Sequence, residues 1–100
     1  MAGMFDQAKA LYKAKKVQGE LQKTEIEASG GDGNVVVVFN GELKLQKLEI
    51  ADVMLTPDRK LELERLIKET ITQAMQRAQQ VATDKTREVM KELGVNIPGL

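Results

Sequence analysis

The chain has 100 residues, enough for one domain with a thin core, and its aromatics are limited to Phe5, Tyr12 and Phe39. It contains no Cys and no His, which removes thiol nucleophiles, disulfides, structural zinc and the usual general base for Ser catalysis. Fifteen basic and fifteen acidic side chains balance to zero, so total charge announces neither a nucleic acid nor an anionic membrane. The distribution is less even: residues 1–24 hold five Lys against two acids (+3), residues 25–56 two Lys against six acids (−4), and residues 57–100 eight bases against seven acids. No apolar run approaches the ~18 residues of a membrane span, and the start lacks the pattern of a signal peptide. These features predict a cytoplasmic chain with no membrane, metal, cofactor or small-molecule partner.

Residues 1–22 read as an amphipathic helix. Met4, Ala8, Leu11, Ala14, Val17 and Leu21 recur at threes and fours and form a stripe that must meet another element. Lys9, Lys13, Lys16 and Lys23, with Glu20 among them, recur at the same spacings on an arc expected opposite the stripe. Phe5 and Tyr12 fall beside the arc, where packing in a core or seam is the simpler expectation than stacking on bases. Lys15 interrupts the apolar side, with its ammonium reaching for water.

Residues 24–50 read as a three-stranded antiparallel sheet. Thr24, Ile26 and Ala28 alternate with Glu25, Glu27 and Ser29, the pattern of an edge strand with one wet face. Gly30-Gly31-Asp32-Gly33-Asn34 then makes a connection; neither a following Lys-Ser or Lys-Thr nor a helix start supports a phosphate cradle there. Val35-Val36-Val37-Val38-Phe39 is a strand apolar on both faces, and Asn40-Gly41 signals a type I′ hairpin, which needs positive φ at both central residues. The third strand, from about Glu42 to Ile50, changes parity between Leu43, Leu45 and Leu48, Ile50, which predicts a β-bulge near Gln46-Lys47, the alternative being a sheet apolar on both faces throughout. A sheet with two apolar faces needs two covers, and a second copy of the chain is the simplest source of the second. Val35, Val36, Val37, Val38, Phe39, Leu43 and Leu45 are accordingly the expected dimer interface.

Thr56-Pro57-Asp58 is a helix start, with Thr56 as capping side chain and Pro57 at the first helical position. The helix is expected over 57–93 and to stop at Gly94, with Leu63, Ile67, Ile71, Ala74, Ala78, Val81, Val89 and Leu93 on one side. Some 35 residues at ~1.5 Å each span roughly 50 Å, more than a three-stranded sheet can cover, so the C-terminal half must project and pack on the first helix. Residues 94–100 form an irregular apolar tail.

This order, helix, three strands, long helix, resembles the YbaB/EbfC family of bacterial nucleoid-associated proteins. The residues that carry the resemblance are Thr24-Glu25-Ile26-Glu27-Ala28-Ser29-Gly30, the glycine loop, Val37-Val38-Phe39-Asn40-Gly41-Glu42-Leu43, Leu48-Glu49-Ile50 and Leu63-Glu64-Arg65-Leu66-Ile67. The chain departs from that family's pattern at Lys68 to Ala74, where small residues and an Asn-Asp-Ala segment are usual, and in its connection from Ala51 to Lys60. The resemblance implies an α+β fold, α-β-β-β-α, in a single domain over residues 1–100. It further implies a homodimer with projecting helical arms that binds double-stranded DNA with modest selectivity, located in the nucleoid.

Phosphate contact needs only flexible cationic groups along a surface, which makes Lys9, Lys13, Lys16, Lys23, Arg77, Lys85 and Arg87 the candidate DNA-binding residues. The competing class is a prefoldin-like protein-binding scaffold, with Met4, Met75 and Met90 as adaptable contacts on the arms. Catalysis is the weakest reading: Glu49 and Asp52 are the close carboxylates outside the helices, with no nucleophile motif to join them.

Overall fold

A computed structural model describes residues 4–94, with side chains from residue 7 onward. The expected tail at 95–100 and the Met4 and Phe5 side chains lie outside the described residues. Helix α1 spans Met4–Lys23, strands β1, β2 and β3 span Glu25–Gly30, Val35–Asn40 and Leu45–Ile50, and helix α2 spans Lys60–Glu92. The sheet is antiparallel in the order β1-β2-β3, which makes β1 and β3 its edges.

Side-chain alternation sorts the strands onto two faces. Ile26 and Ala28 on β1, with Val35, Val37 and Phe39 on β2, lie under α2 together with Met54. The parity change in β3 is resolved as its pattern predicts. Phe39 opposes Leu45 but Val38 opposes Lys47, so Gln46 is the extra residue of a bulge, and Leu45, Leu48 and Ile50 all point to the face of Phe39, Val37 and Val35. The opposite face therefore carries two valines, Val36 and Val38, among Glu25, Glu27, Lys47 and Glu49.

The hairpin falls at Asn40-Gly41, but its turn is not type I′. The loop holds three residues: Leu43 N–H donates to Asn40 O at 3.1 Å, Asn40 N–H donates to Lys44 O at 2.9 Å, and the positive φ, 65°, belongs to Leu43. The Asn40 side chain dictates this form, because its Oδ1 accepts from the N–H groups of Glu42 at 2.9 Å and Lys44 at 3.1 Å. Gly41 is required for close approach: its N–H donates to Leu21 O at 2.7 Å, and a Cβ there would lie 2.8 Å from that oxygen and 2.7 Å from Leu21 Cδ2. The end of α1 is thereby pinned to the hairpin. Gly41→Ala is expected to destabilise the fold by about 1–3 kcal/mol, the usual cost of overpacking, read as a lowered midpoint in urea.

A 3-10 turn at Pro57–Arg59 leads into α2. Thr56 has the extended backbone of a capping residue, yet its hydroxyl does not bond the helix N–H groups. It sits instead beside the Asp58 carboxylate and, with Asp58's own N–H, holds that carboxyl below the ordinary range. The buried row of α2 is Leu66, Thr70, Ala74 and Ala78, four residues apart, with Leu63, Ile67, Ile71 and Val81 half-buried alongside. Small side chains in that row bring the helix close to the strands, and a Cβ on Gly30 would meet Thr70 Oγ1 at 2.4 Å. The helix ends at Glu92, and Gly94, φ 74°, turns the chain away just beyond it, the stop that the sequence predicts.

Helix α2 lies across β1 and β2, and its C-terminal half continues past the sheet alongside α1. The result is a rod of 65 × 25 × 15 Å with a radius of gyration of 18.6 Å, against roughly 13 Å for a compact domain of this length.

Candidate nucleic-acid interface and sheet edges

The two helices of the arm run antiparallel and are clamped by charge. Lys13 pairs with Glu92, and Lys85 lies 3.5 Å from Glu20 and 3.6 Å from Glu88. The Lys13 hydrogen bond and charge hold the Glu92 carboxyl below its ordinary value, while Glu88 and Glu20 raise the Lys85 ammonium above its own. The Glu92 contribution is full above the unfolded carboxylate pKa and fades as pH falls through the lowered folded value. The Lys85 contribution is full below the unfolded ammonium pKa and fades as pH rises through the raised one. The clamp is thus complete across neutral pH. Between the helices lies a 260 Å³ cleft lined mainly by Ala14, Val17, Leu21, Val89 and Met90.

This geometry divides the seven candidate DNA-binding residues. Helix α1 meets α2 through part of the expected stripe, Ala14, Val17 and Leu21, but Lys13 turns toward α2 as well, while Leu11 and Tyr12 are 61% and 67% exposed, so Tyr12 packs in no core of this chain. Lys9, Lys16 and Lys23 are exposed and form no ion pair with a described side chain. Lys13 and Lys85 are held in the clamp. Arg77 donates from Nη1 to the Glu27 carbonyl oxygen at 2.7 Å, and Arg87 is half-buried with its Nε unpartnered. Lys15, outside the candidate set, is also exposed on α1.

The expected dimer residues divide too. Val35 and Val37 are fully buried, and Phe39 nearly so, beneath α2 of the same chain, so these three face their own core and not a partner. Val38 is buried at the floor of a groove walled by Glu25, Glu27, Gln46 and Lys47, and Val36 is half-buried beside Glu49. Accessible apolar surface lies around β3, where Leu43, Leu45 and Leu48 are 39%, 49% and 43% exposed on the margin that α2 leaves open, and also at Val53, Leu55 and Leu61, 53%, 61% and 78% exposed, leading into α2. Leu48 and Ile50 were absent from the expected set. The bulge is the signal that could have found them, because it places both on the face of Leu45.

Comparison with known proteins gives the same assignment as the fold. The YbaB/EbfC DNA-binding family matches residues 1–93. A nucleoid-associated protein of Clostridium novyi is 37% identical over 87 residues, covering 85% of this chain and 73% of that protein. A nucleoid-associated protein of Thermoanaerobacter sp. is 33% identical over 98 residues, covering 97% and 86% respectively. In structure, an uncharacterized protein from Helicobacter pylori superposes with a TM-score of 0.78 at 17% identity, covering 84% of this chain and 88% of its own. No helix among the described residues is long and apolar enough to cross a membrane. The chain belongs to the YbaB/EbfC DNA-binding family.

Proposed function

We propose that the protein is a nucleoid-associated, homodimeric binder of double-stranded DNA that holds the duplex through its phosphates, with the outer side of α1 as the contact surface. The observation that carries this reading is the row Lys9, Lys16, Lys23. Spaced by seven residues, or nearly two helical turns, these lysines stay on one side of α1 over roughly 21 Å. That length spans about six phosphates of one strand at 3.4 Å each, enough for three ammonium groups to be placed without any base-reading element. Glu25, Glu27 and Glu49 make the outer sheet face acidic and would keep the duplex on the arms. Binding and chromosome organisation are then matters of many weak contacts along one duplex.

The dimer is assigned to the β3 edge. Leu45 and Leu48 are half in water there, and burying them against a second copy removes apolar surface at ~25 cal/mol per Å². Leu48→Lys is expected to halve the sedimenting mass at micromolar concentration while leaving helical content unchanged. A wild type that is already monomeric would remove the dimer from the account. DNA binding is tested by fluorescence anisotropy with A·T-rich and G·C-rich duplexes of equal length. Affinities within about tenfold are expected for phosphate-directed binding, and failure to bind either duplex at low salt would overturn the reading.

A further inference from the structure

The hydrogen-bond register shows that the two edges of the sheet are unlike. Asn40 donates to Lys44 O, and Asn34 O accepts from Ala51 N–H, so the even-numbered residues of β2 turn their backbone groups toward β3. Val35, Val37 and Phe39 therefore bond toward β1, to Gly30, Ala28 and Ile26. It follows that Glu25, Glu27 and Ser29 direct their N–H and C=O groups out of the sheet. On the other edge, Leu48 and Ile50 stand opposite Val37 and Val35 and likewise direct theirs outward. An open edge of this kind is a template for another strand. The β1 edge is occupied at its centre, because Arg77 reaches from α2 and donates to the outward Glu27 carbonyl at 2.7 Å. Among the described residues, no side chain bonds the backbone of Leu48 or Ile50 in the same way.

We propose that the β1 edge is a second strand-accepting surface, that its occupant is the β3 edge of another copy of this chain, and that Arg77 holds it closed. Charge favours that occupant. Lys47 projects from β3 on the sheet face from which Glu25 and Glu27 project on β1; its ammonium is raised first by Glu49, its ion-pair partner on β3 at 2.9 Å, and further by Glu27 and Glu25 across the width of β2. The geometry gives the lock its purpose. Pairing β3 with β3 is two-fold symmetric and closes at a dimer, with a β1 strand at each end of a six-stranded sheet. Pairing β3 with β1 is head-to-tail, leaves one edge of each kind exposed, and continues without limit. Arg77 guards both ends of the closed form, a role apart from the phosphate contact expected of it from sequence. The proposal rests on the reading of β3 as a self-associating edge.

The test is sedimentation of full-length Arg77→Met beside wild type over a range of concentrations, with circular dichroism to confirm an unchanged fold. Arg77→Met is expected to show a weight-average mass that climbs with concentration to at least about twice the wild-type value, as open-ended association requires. Adding Glu27→Pro should return the mass to wild type, because the Glu27 N–H lies outside the ladder and a proline there breaks no sheet bond. A wild-type mass for Arg77→Met at every concentration would overturn the proposal. So would an extended assembly that persists with Glu27→Pro. A monomeric wild type counts against the β3 dimer alone, since the difference between Arg77→Met and wild type decides the lock.

Discussion

Replacing Lys9, Lys16 and Lys23 together by Gln is expected to make the plot of log affinity against log salt shallower by about 5, since each lysine contributes ~0.9 and is present twice in a dimer. Taken from a 1 M reference, the same arithmetic removes about 10⁵-fold in affinity at 0.1 M salt for any duplex. The fold should be indifferent, with a stability change below about 0.5 kcal/mol, because all three side chains are exposed. Lys13→Gln is the informative control. It removes a cation from the same helix, but one held by Glu92 in the arm clamp, so its slope should stay near wild type. An unchanged slope in the triple variant would reduce the lysine row to an ordinary solvated face, and the protein-binding scaffold would then be the stronger reading of the arms.

The second large effect separates the two faces of β2. Val37→Asp is expected to destabilise by at least about 4 kcal/mol, because Val37 is fully buried under α2 and a carboxylate there has neither water nor a partner. Val38→Asp should cost less, about 2 kcal/mol, since the side chain would rise into the open groove, where Lys47 attracts the carboxylate and Glu25 and Glu27 repel it. Sequence alone predicts equal severity at both positions, on the premise that each face of the valine strand is covered. Chemical denaturation of the two variants distinguishes these cases. Equal, severe losses would mean that a partner covers the outer face.

The folding elements were legible where local chemistry is decisive. Pro57 and Gly94 bracket the long helix, Asn40-Gly41 marks the hairpin, and the parity change from Leu45 to Leu48 marks the bulge at Gln46. What pattern could not supply was the context that chooses among equivalent local solutions. Asn40 takes the turn through its own side chain and leaves the positive φ to Leu43, a choice also fitted to the pressure of Leu21 on Gly41. Thr70 reads as polar, yet it lies in the buried row of α2, because closeness to Gly30 favours a small residue over a large apolar one. The bulge restores one apolar face and leaves a charged one, which removes the parity change as an argument for a sheet covered on both sides.

The candidate site was half legible for a related reason. Seven-residue spacing places Lys9, Lys16 and Lys23 together whatever α1 packs against. Lys13 belongs to the same arc by spacing, but the way α1 packs on α2 brings it into contact with Glu92, while Lys16 and Lys9 act on that carboxylate only at longer range. Arg77 and Lys85 read as free cations until the partners brought near by the fold, Glu27 O and Glu20, are known. These pairings join residues 50 and 65 positions apart, and no local pattern encodes them.

The claim that the duplex lies along the outer side of α1 is tested most directly by lysine footprinting. The protein is acetylated with and without saturating duplex DNA at low salt, and the rate at each lysine is read by mass spectrometry. Protection is expected at Lys9, Lys16 and Lys23, with unchanged rates at Lys60 and Lys68, which lie on the sheet-covering half of α2. Protection centred on Lys60 and Lys68, or equal rates at every lysine with DNA present, would contradict it.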